Sequence, residues 1–165
     1  MFKLPKAITK EELILLIKST KKKKYKLAWI LGFYSGMRVS EIVNLKTENV
    51  NLKAKRILIE QAKGKKDRIV PLPKGFKPSM MSLIPLKCST RTLQRQFKAS
   101  LKRSGIIREN LSPHSLRHGF GTHAIESGVP LNIISELMGH SDISTTGIYL
   151  KCSEKDALES YEKYF

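Results

Sequence analysis

Residues 56–72 read Arg-Ile-Leu-Ile-Glu-Gln-Ala-Lys-Gly-Lys-Lys-Asp-Arg-Ile-Val-Pro-Leu, with branched apolar residues in two short runs on either side of a glycine. The two runs predict strands over 56–60 and 68–72. Gly64 can adopt the positive φ that a tight turn between antiparallel strands requires. The stretch therefore predicts one hairpin whose tip, around Lys63-Gly64-Lys65, is strongly basic.

The sequence on both sides of this hairpin has the spacing of amphipathic helices, starting with a capping box over 9–12. Four prolines between 71 and 89 exclude a long helix in that connection. Helices are predicted over 9–19, 26–34, from about 40 to a turn at 49–51, and over 91–104, 113–128, 131–138 and from 153 onward. The pattern indicates a mainly α-helical fold with a small antiparallel β-sheet, in the α+β class.

Length and charge limit the classes of protein to be considered. A chain of 165 residues is long enough for one domain with a real core and too short for two comfortable ones. Lys and Arg number 31 against 14 Asp and Glu, a net charge of +17 spread along the whole sequence. That charge favours a nucleic-acid partner, although a generally basic surface would give the same count.

The cysteines and the hydropathy indicate the compartment. The two cysteines, Cys88 and Cys152, form no CxxC pair, and no apolar signal segment stands at the N-terminus. No apolar run approaches the ~18 residues of a membrane span. We therefore expect a soluble cytoplasmic protein with no membrane association.

Three side chains of the predicted helix over 113–128 share one face, because His114 lies three residues before Arg117 and four before His118. Such a face could bind a phosphate. A histidine pair at this spacing is also a zinc arrangement, but no carboxylate or thiolate nearby completes a site, and Arg117 would repel a cation. A capping role for His114 and a structural role for His118 remain alternatives.

Other candidates stand outside that helix. Arg38 follows a glycine break and precedes a short helix, where free backbone N–H groups favour an anion, so it could be a second phosphate clamp or a salt-bridged surface residue. Glu41 could hold a catalytic side chain or simply pair with Arg38. Tyr149 lies in a polar stretch, whereas Tyr161 and Tyr164 fall on the last predicted helix, at core spacing or at its frayed end, where packing explains them better. Basic residues at the hairpin could merely contact DNA backbone.

Four strings in order along the chain resemble the motifs of tyrosine recombinases, the phage-integrase and Xer class. They read Ser-Gly-Met-Arg-Val-Ser-Glu at 35–41, Lys-Gly-Lys-Lys-Asp-Arg-Ile-Val-Pro-Leu at 63–72, His-Ser-Leu-Arg-His at 114–118 and Met-Gly-His-Ser-Asp-Ile-Ser-Thr-Thr-Gly-Ile-Tyr at 138–149. The resemblance implies the helical catalytic-domain fold of that family and a DNA strand-exchange activity without metal or other cofactor. By motif position the expected catalytic residues are Arg38, Lys63, His114, Arg117, His140 and Tyr149.

The resemblance also implies a role for each residue. Tyr149 would attack the phosphorus with His114 as base, and Lys63 would protonate the leaving oxygen. Supporting roles are expected for Glu41 and His118, and DNA contacts for Lys65, Lys66, Arg68, Arg91 and Arg95.

Assembly and two rival functions remain to be distinguished. The partner is expected to be double-stranded DNA, on which the protein would form a tetramer through its last helix, unless that helix docks on its own body. The chain opens near the start of the family's catalytic domain, so we expect a single domain over 1–165 without the N-terminal core-binding domain. The rivals are a type IB topoisomerase-like nicking-closing enzyme and a non-catalytic helix-turn-helix protein.

Overall fold

The computed structural model describes residues 6–61, 66–139 and 161–163. Within them, the chain forms six α-helices and a three-stranded antiparallel sheet, so the predicted mainly α-helical fold with a small sheet is confirmed. The elements are α1 (Lys10–Ser19), α2 (Lys23–Tyr34), α3 (Val39–Val43), β1 (Val50–Asn51), β2 (Arg56–Ile59), β3 (Arg68–Pro71), α4 (Thr90–Ser104), α5 (His114–Glu126) and α6 (Leu131–Met138), with 3₁₀ turns at Thr47–Asn49 and Pro78–Leu83.

Some helix boundaries follow the capping residues that the sequence offers. Thr9 and Glu12 form the reciprocal capping box that starts α1, and Gly105 ends α4 in the left-handed conformation with φ 75°. Helix α2 begins at Lys23, earlier than predicted, because Tyr25 is already buried and extends the apolar face toward the lysine run. Helix α5 begins at His114, with Pro113 in the cap position.

The sheet contains a strand that the sequence pattern did not predict. Residues 49–51 were expected to form a turn, but Val50 and Asn51 form β1, which pairs with Ile57 and Arg56 of β2. Val50 is buried in this pairing, so its contribution to the core outweighs the turn preference of its asparagine neighbours. β2 and β3 form the predicted hairpin, with Ile57 opposite Val70 and Ile59 opposite Arg68.

The core brings α5 into close contact with the N-terminal half of the chain. Trp29 of α2 packs edge-on against Phe97 of α4, at 5.2 Å between ring centroids. Gly119 of α5 lies so close to the segment before α1 that an added Cβ would stand 2.5 Å from the carbonyl oxygen of Ile8. This close approach carries α5, and Arg117 with it, toward the loop between α2 and α3.

A second apolar cluster joins α5 and α6 to the end of the chain. Phe120 stacks on Tyr161 at 5.9 Å between ring centroids, and the Tyr161 hydroxyl donates to the carbonyl oxygen of Tyr34 at 3.1 Å. Tyr161 is buried, as its spacing predicted. None of the described helices is long and apolar enough to cross a membrane.

Candidate active site

The two predicted phosphate-binding arginines come from distant parts of the sequence and meet beside the loop between α2 and α3. Arg117 is buried, and its Nη1 donates to the carbonyl oxygen of Gly36 at 2.5 Å. Its Nη2 donates to the carbonyl oxygen of Met138 at the end of α6. Arg38 stands at the start of α3, two residues after Gly36, with its side chain 36% exposed.

Gly36 makes this arrangement possible by its backbone conformation. Its φ is +63°, in the left-handed region that favours glycine, and an added Cβ would lie 2.7 Å from the Phe120 ring. The glycine therefore ends α2, approaches α5 and turns its carbonyl oxygen toward Arg117. The sequence motif around 35–41 thus supplies both a side chain and a backbone acceptor.

The site contains an excess of positive charge. Burial lowers the pKa of Arg117 to about 10, and the charges of Arg38 and Arg68 contribute to that lowering, whereas Glu41 opposes it. Three guanidiniums therefore influence one another around a single carboxylate. Such a region is electrostatically prepared for an anion, because a negative ligand would offset the repulsion between the arginines.

Glu41 is the carboxylate at the centre of this cluster. Its Oε2 accepts a hydrogen bond from the backbone N–H of Arg38 at 2.7 Å, and its Oε1 accepts one from Arg38 Nη1 at 3.1 Å. Burial alone would raise the pKa of Glu41, but the hydrogen bonds and charge of Arg68, with the Arg38 backbone bond, lower it to about 2. Glu41 therefore stays ionised and fixes the Arg38 segment.

Arg68 has a different position from the one expected at the hairpin. It was predicted to contact DNA, but only 5% of the residue is exposed. Nη1 and Nη2 donate to the two carboxylate oxygens of Glu41 at 2.7 and 2.9 Å, and Nε donates to the carbonyl oxygen of Leu137 at 2.8 Å. All three of its guanidinium nitrogen atoms thus donate to groups inside the protein. The predicted DNA contact of Arg68 is therefore replaced by an internal structural position.

The strand pattern contained the signal for this position. Side chains two apart in a strand point to the same face, so Arg68 shares a face with Val70, which is fully buried. Ile59, the partner of Arg68 across the hairpin, is buried as well. Reading the alternation of β3, rather than the charge of the hairpin, would have placed Arg68 inside.

The other expected basic residues in the described part of the chain are accessible. His114, the first residue of α5, and His118, one turn later, are exposed. His118 is thus not enclosed in a buried second layer, as a structural role would require. The exposed side chains expected to contact DNA are Lys66 beside the hairpin and Arg91 and Arg95 along α4.

Several expected site residues lie outside the described residues. They are Lys63 and Lys65 at the hairpin tip, and His140 and Tyr149 after α6. The described residues that flank them are Gln61 and Lys66 around the tip, and Gly139 before His140. Both flanks adjoin the arginine cluster, since Gln61 Nε2 lies 3.4 Å from Glu41 Oε1 and Gly139 packs closely on Arg68.

A metal centre has no ligand set in the described part of the chain. No group of three or more His, Cys, Asp or Glu side chains there could hold a metal ion.

Comparison with known proteins relates this geometry to a family. The Phage integrase family profile matches residues 6–156. A tyrosine recombinase XerA of Thermococcus kodakarensis is 34% identical over 180 residues, which cover 97% of this chain and 63% of the relative. The chain thus spans less than two thirds of that relative's length.

Solved structures give the same relationship. The crystal structure of a XerA recombinase superimposes with a TM-score of 0.75 at 26% identity, over 99% of this chain and 66% of that one. The XerH site-specific recombinase bound to difH substrate, in a pre-cleavage complex, superimposes with a TM-score of 0.71 at 25% identity, over 97% of this chain and 51% of that one.

Proposed function

Because this chain belongs to the phage integrase family, we propose that it is a site-specific recombinase that cleaves and rejoins DNA strands through a 3′-phosphotyrosyl bond to Tyr149. The observation that carries the proposal is the convergence of Arg38 and Arg117 on one carboxylate-anchored, positively charged site. Residues 1–165 would then act as a catalytic domain. The relatives' names support a recombinase over the two rival functions.

The proposed reaction begins with the phenol of Tyr149, whose ordinary pKa of ~10 leaves it mostly protonated at neutral pH. His114 accepts the phenolic proton as the oxygen forms a bond to phosphorus. The P–O5′ bond breaks, and Lys63 gives a proton to the leaving 5′-oxygen. The reverse sequence, with a 5′-hydroxyl as nucleophile, rejoins the strand.

The arginines act on the charge that develops at phosphorus. Arg38 and Arg117 each offer planar guanidinium donors to the nonbridging oxygens, and each such donor is expected to contribute about 3 kcal/mol to transition-state stabilisation by analogy with oxyanion holes. His140 would add another hydrogen bond to phosphate. This chemistry uses neither a metal ion nor a nucleotide.

Tyr161, which lies within the described residues, is an alternative to Tyr149 as the nucleophile. Its hydroxyl is committed to the carbonyl oxygen of Tyr34, and burial, together with the neighbouring Tyr34, raises its pKa well above the ordinary value. A buried phenol that is harder to ionise is a poor nucleophile. These features support the assignment of the attack to Tyr149.

Double-stranded DNA is the proposed partner, with a tetramer assembled on it through the C-terminal helix. Exposed Arg91 and Arg95 on α4 and Lys66 by the hairpin would contact its phosphates. The resemblance to XerH bound to difH substrate supports a DNA partner. Such a substrate fits the cytoplasmic location expected from the sequence.

A covalent-trapping experiment tests the function. The protein is incubated in EDTA with a pool of nicked duplexes of randomised sequence, in which the cleaved fragment diffuses away and leaves the adduct. We expect mass spectrometry to find DNA on Tyr149, and Tyr149→Phe to form no adduct while still binding DNA. An adduct on Tyr161 or Tyr164, or cleavage that needs added Mg²⁺ or Zn²⁺, would contradict the proposal.

A further inference from the structure

We propose that Arg68 is a positioning residue that sets the separation of Arg38 and Arg117, an inference that rests on the proposed strand-cleavage function. Arg68 itself is buried and would touch no DNA. It would act through Glu41 on one side and through the end of α6 on the other.

The contacts of Arg68 close a ring of hydrogen bonds that contains both phosphate-binding arginines. Arg117 bonds the carbonyl oxygen of Gly36, and the chain leads from there to Arg38, which bonds Glu41. Glu41 is held by Arg68. Arg68 bonds the carbonyl oxygen of Leu137, and the next carbonyl, of Met138, returns the ring to Arg117.

Arg68 is the member that joins three separate segments of this ring. Helix α3 enters through Glu41, the hairpin through Arg68 itself and α6 through Leu137. Adjacent carbonyls of α6, those of Leu137 and Met138, receive Arg68 and Arg117 respectively. The distance between the two clamps therefore depends on how Arg68 spans Glu41 and α6.

The geometry requires the guanidinium rather than a positive charge alone. The two Nη atoms meet the two oxygens of Glu41 at 2.7 and 2.9 Å, while Nε points in another direction to Leu137 at 2.8 Å. A lysine ammonium is a point charge and cannot reproduce this planar fork. The substitution Arg68→Lys would thus keep the charge but not the ring.

The close approach of Gly139 is independent evidence that the Arg68 side chain is tightly packed. An added Cβ at Gly139 would lie 2.8 Å from Arg68 Cδ and 3.1 Å from its Nε. The end of α6 therefore packs directly on the Arg68 side chain.

Loss of Arg68 should alter Arg38 in a specific way. Glu41 Oε1 accepts from both Arg38 Nη1, at 3.1 Å, and Arg68 Nη1, at 2.7 Å. Without Arg68, the buried carboxylate has Arg38 as its remaining cationic partner among the described residues. Arg38 would be drawn toward Glu41 and away from the phosphate, which lowers the rate of chemistry more than the affinity for DNA.

The test compares charged and neutral scissile groups. Arg68→Met and Arg68→Lys are assayed with the wild type on trapped duplexes carrying either a phosphodiester or a neutral methylphosphonate at the cleaved position. Adduct formation on the phosphodiester should fall by ~10²-fold, as for loss of one transition-state donor, with the Kd for DNA nearly unchanged. On the methylphosphonate, which lacks the charge that Arg38 stabilises, the loss should be at least ~10-fold smaller.

The control breaks another arginine–glutamate pair, which is not part of the ring. Arg108 Nη1 bonds Glu12 Oε2 at 2.7 Å at the surface beside α1. Arg108→Met should change neither rate beyond ~3-fold, the range of surface substitutions. Equal losses on both substrates for Arg68→Met would show a merely structural role and overturn the proposal.

A second measurement on the free protein separates this inference from the proposed function. Backbone amide exchange at Arg38, which bonds Glu41, and at Gly139, which follows the Leu137–Met138 carbonyls, should become ~10-fold faster in Arg68→Lys. Unchanged exchange at both amides would contradict the proposal that Arg68 holds the ring together, whatever the cleavage activity. No adduct from the wild type on either substrate would instead refute strand cleavage and leave the exchange result to decide the ring. If Arg68→Met does not fold, Arg68→Lys is used for both the adduct assay and the amide-exchange measurement.

Discussion

Buried Arg68 and partly buried Glu41 form a bidentate ion pair between the hairpin and helix α3, with Nη–Oε distances of 2.7 and 2.9 Å. The pair keeps a carboxylate ionised inside a cluster of three arginines. Its energetic consequence can be measured without DNA, through the stability of the free protein.

Protein stability should depend on pH through Glu41. The pKa of Glu41 is lowered in the folded state to about 2, so its stabilising contribution is complete above the unfolded-state value near 4.5 and is lost as the pH falls toward 2. The lowering corresponds to about 3 kcal/mol. Urea unfolding from pH 7 to pH 2 should show this loss, and Glu41→Gln should be less stable at pH 7 by ~3 kcal/mol, with a flatter profile.

A matched control for that variant is Glu60→Gln. Glu60 is an exposed carboxylate with a loose pairing to Lys46, at 3.7 Å. Its loss should change the free energy of unfolding by less than ~0.5 kcal/mol. A Glu41→Gln protein with wild-type stability at pH 7 would contradict the role of the buried pair.

Gly139→Ala should destabilise the protein more than Gly105→Ala. Both glycines end helices in the left-handed conformation, with φ of 63° and 75°, so both variants carry a similar backbone cost of ~1–2 kcal/mol. An added Cβ at Gly139 meets Arg68 at 2.8 Å, whereas one at Gly105 meets nothing within 4 Å. The excess cost at Gly139 should be ~1–3 kcal/mol.

The excess can be assigned by a double-mutant cycle. In the Arg68→Met background, whose side chain can bend away, the difference between the two alanine variants should shrink. Thermal unfolding of the variants in both backgrounds measures it. Equal costs at Gly105 and Gly139 in the wild-type background would mean that α6 does not pack on Arg68 as described.

The sequence predicted elements with a strong local pattern and missed those defined by distant contacts. The capping box at Thr9 and the run of branched apolar residues at 57–59 determine their elements locally, and both were confirmed. Strand β1 has two residues, too few for a period, and exists because Val50 pairs with Ile57. No local pattern of that length could have indicated it.

The site divides in the same way. Motif position predicted Arg38 and Arg117 as site residues, and in the structure their charges influence each other. The acceptors that orient Arg117 are backbone carbonyls of Gly36 and Met138, which have no side-chain signature in the sequence. Arg68 was predicted to contact DNA because the hairpin is basic. Its position in β3, two residues from buried Val70, instead indicated a side chain that points into the protein.

DNA binding should weaken steeply with salt, because a chain of net charge +17 releases counterions when it binds phosphates. Arg91→Ala and Arg95→Ala, on the exposed side of α4, should each reduce the slope of log K against log salt by ~1. Arg108→Ala is the control, since that arginine pairs with Glu12. Fluorescence anisotropy from low to moderate salt measures the slopes, and equal slopes for the wild type and all three variants would remove α4 from the DNA surface.

Truncation after Lys151 tests the proposed assembly through the last helix. Tyr161 packs on Phe120 of its own chain in this structure, so the helix could stabilise its own body or act between subunits. If it acts between subunits, truncation should reduce strand exchange more than single-strand cleavage. Parallel assays measure both, and equal losses together with lower solubility would favour the internal role.

A sulfur substitution tests Lys63, which lies outside the described residues, as the general acid. An alkoxide leaving group needs a proton, whereas a thiolate, whose conjugate acid has a pKa near ~8.5, leaves without one. Replacing the bridging 5′-oxygen by sulfur should therefore restore cleavage to Lys63→Ala. Arg38→Ala and Arg117→Ala should not be restored, because they lose stabilisation of the phosphorus oxygens rather than a proton. Rescue of Lys65→Ala or Lys66→Ala instead, with Lys63→Ala still inactive, would assign the proton to another lysine of the hairpin.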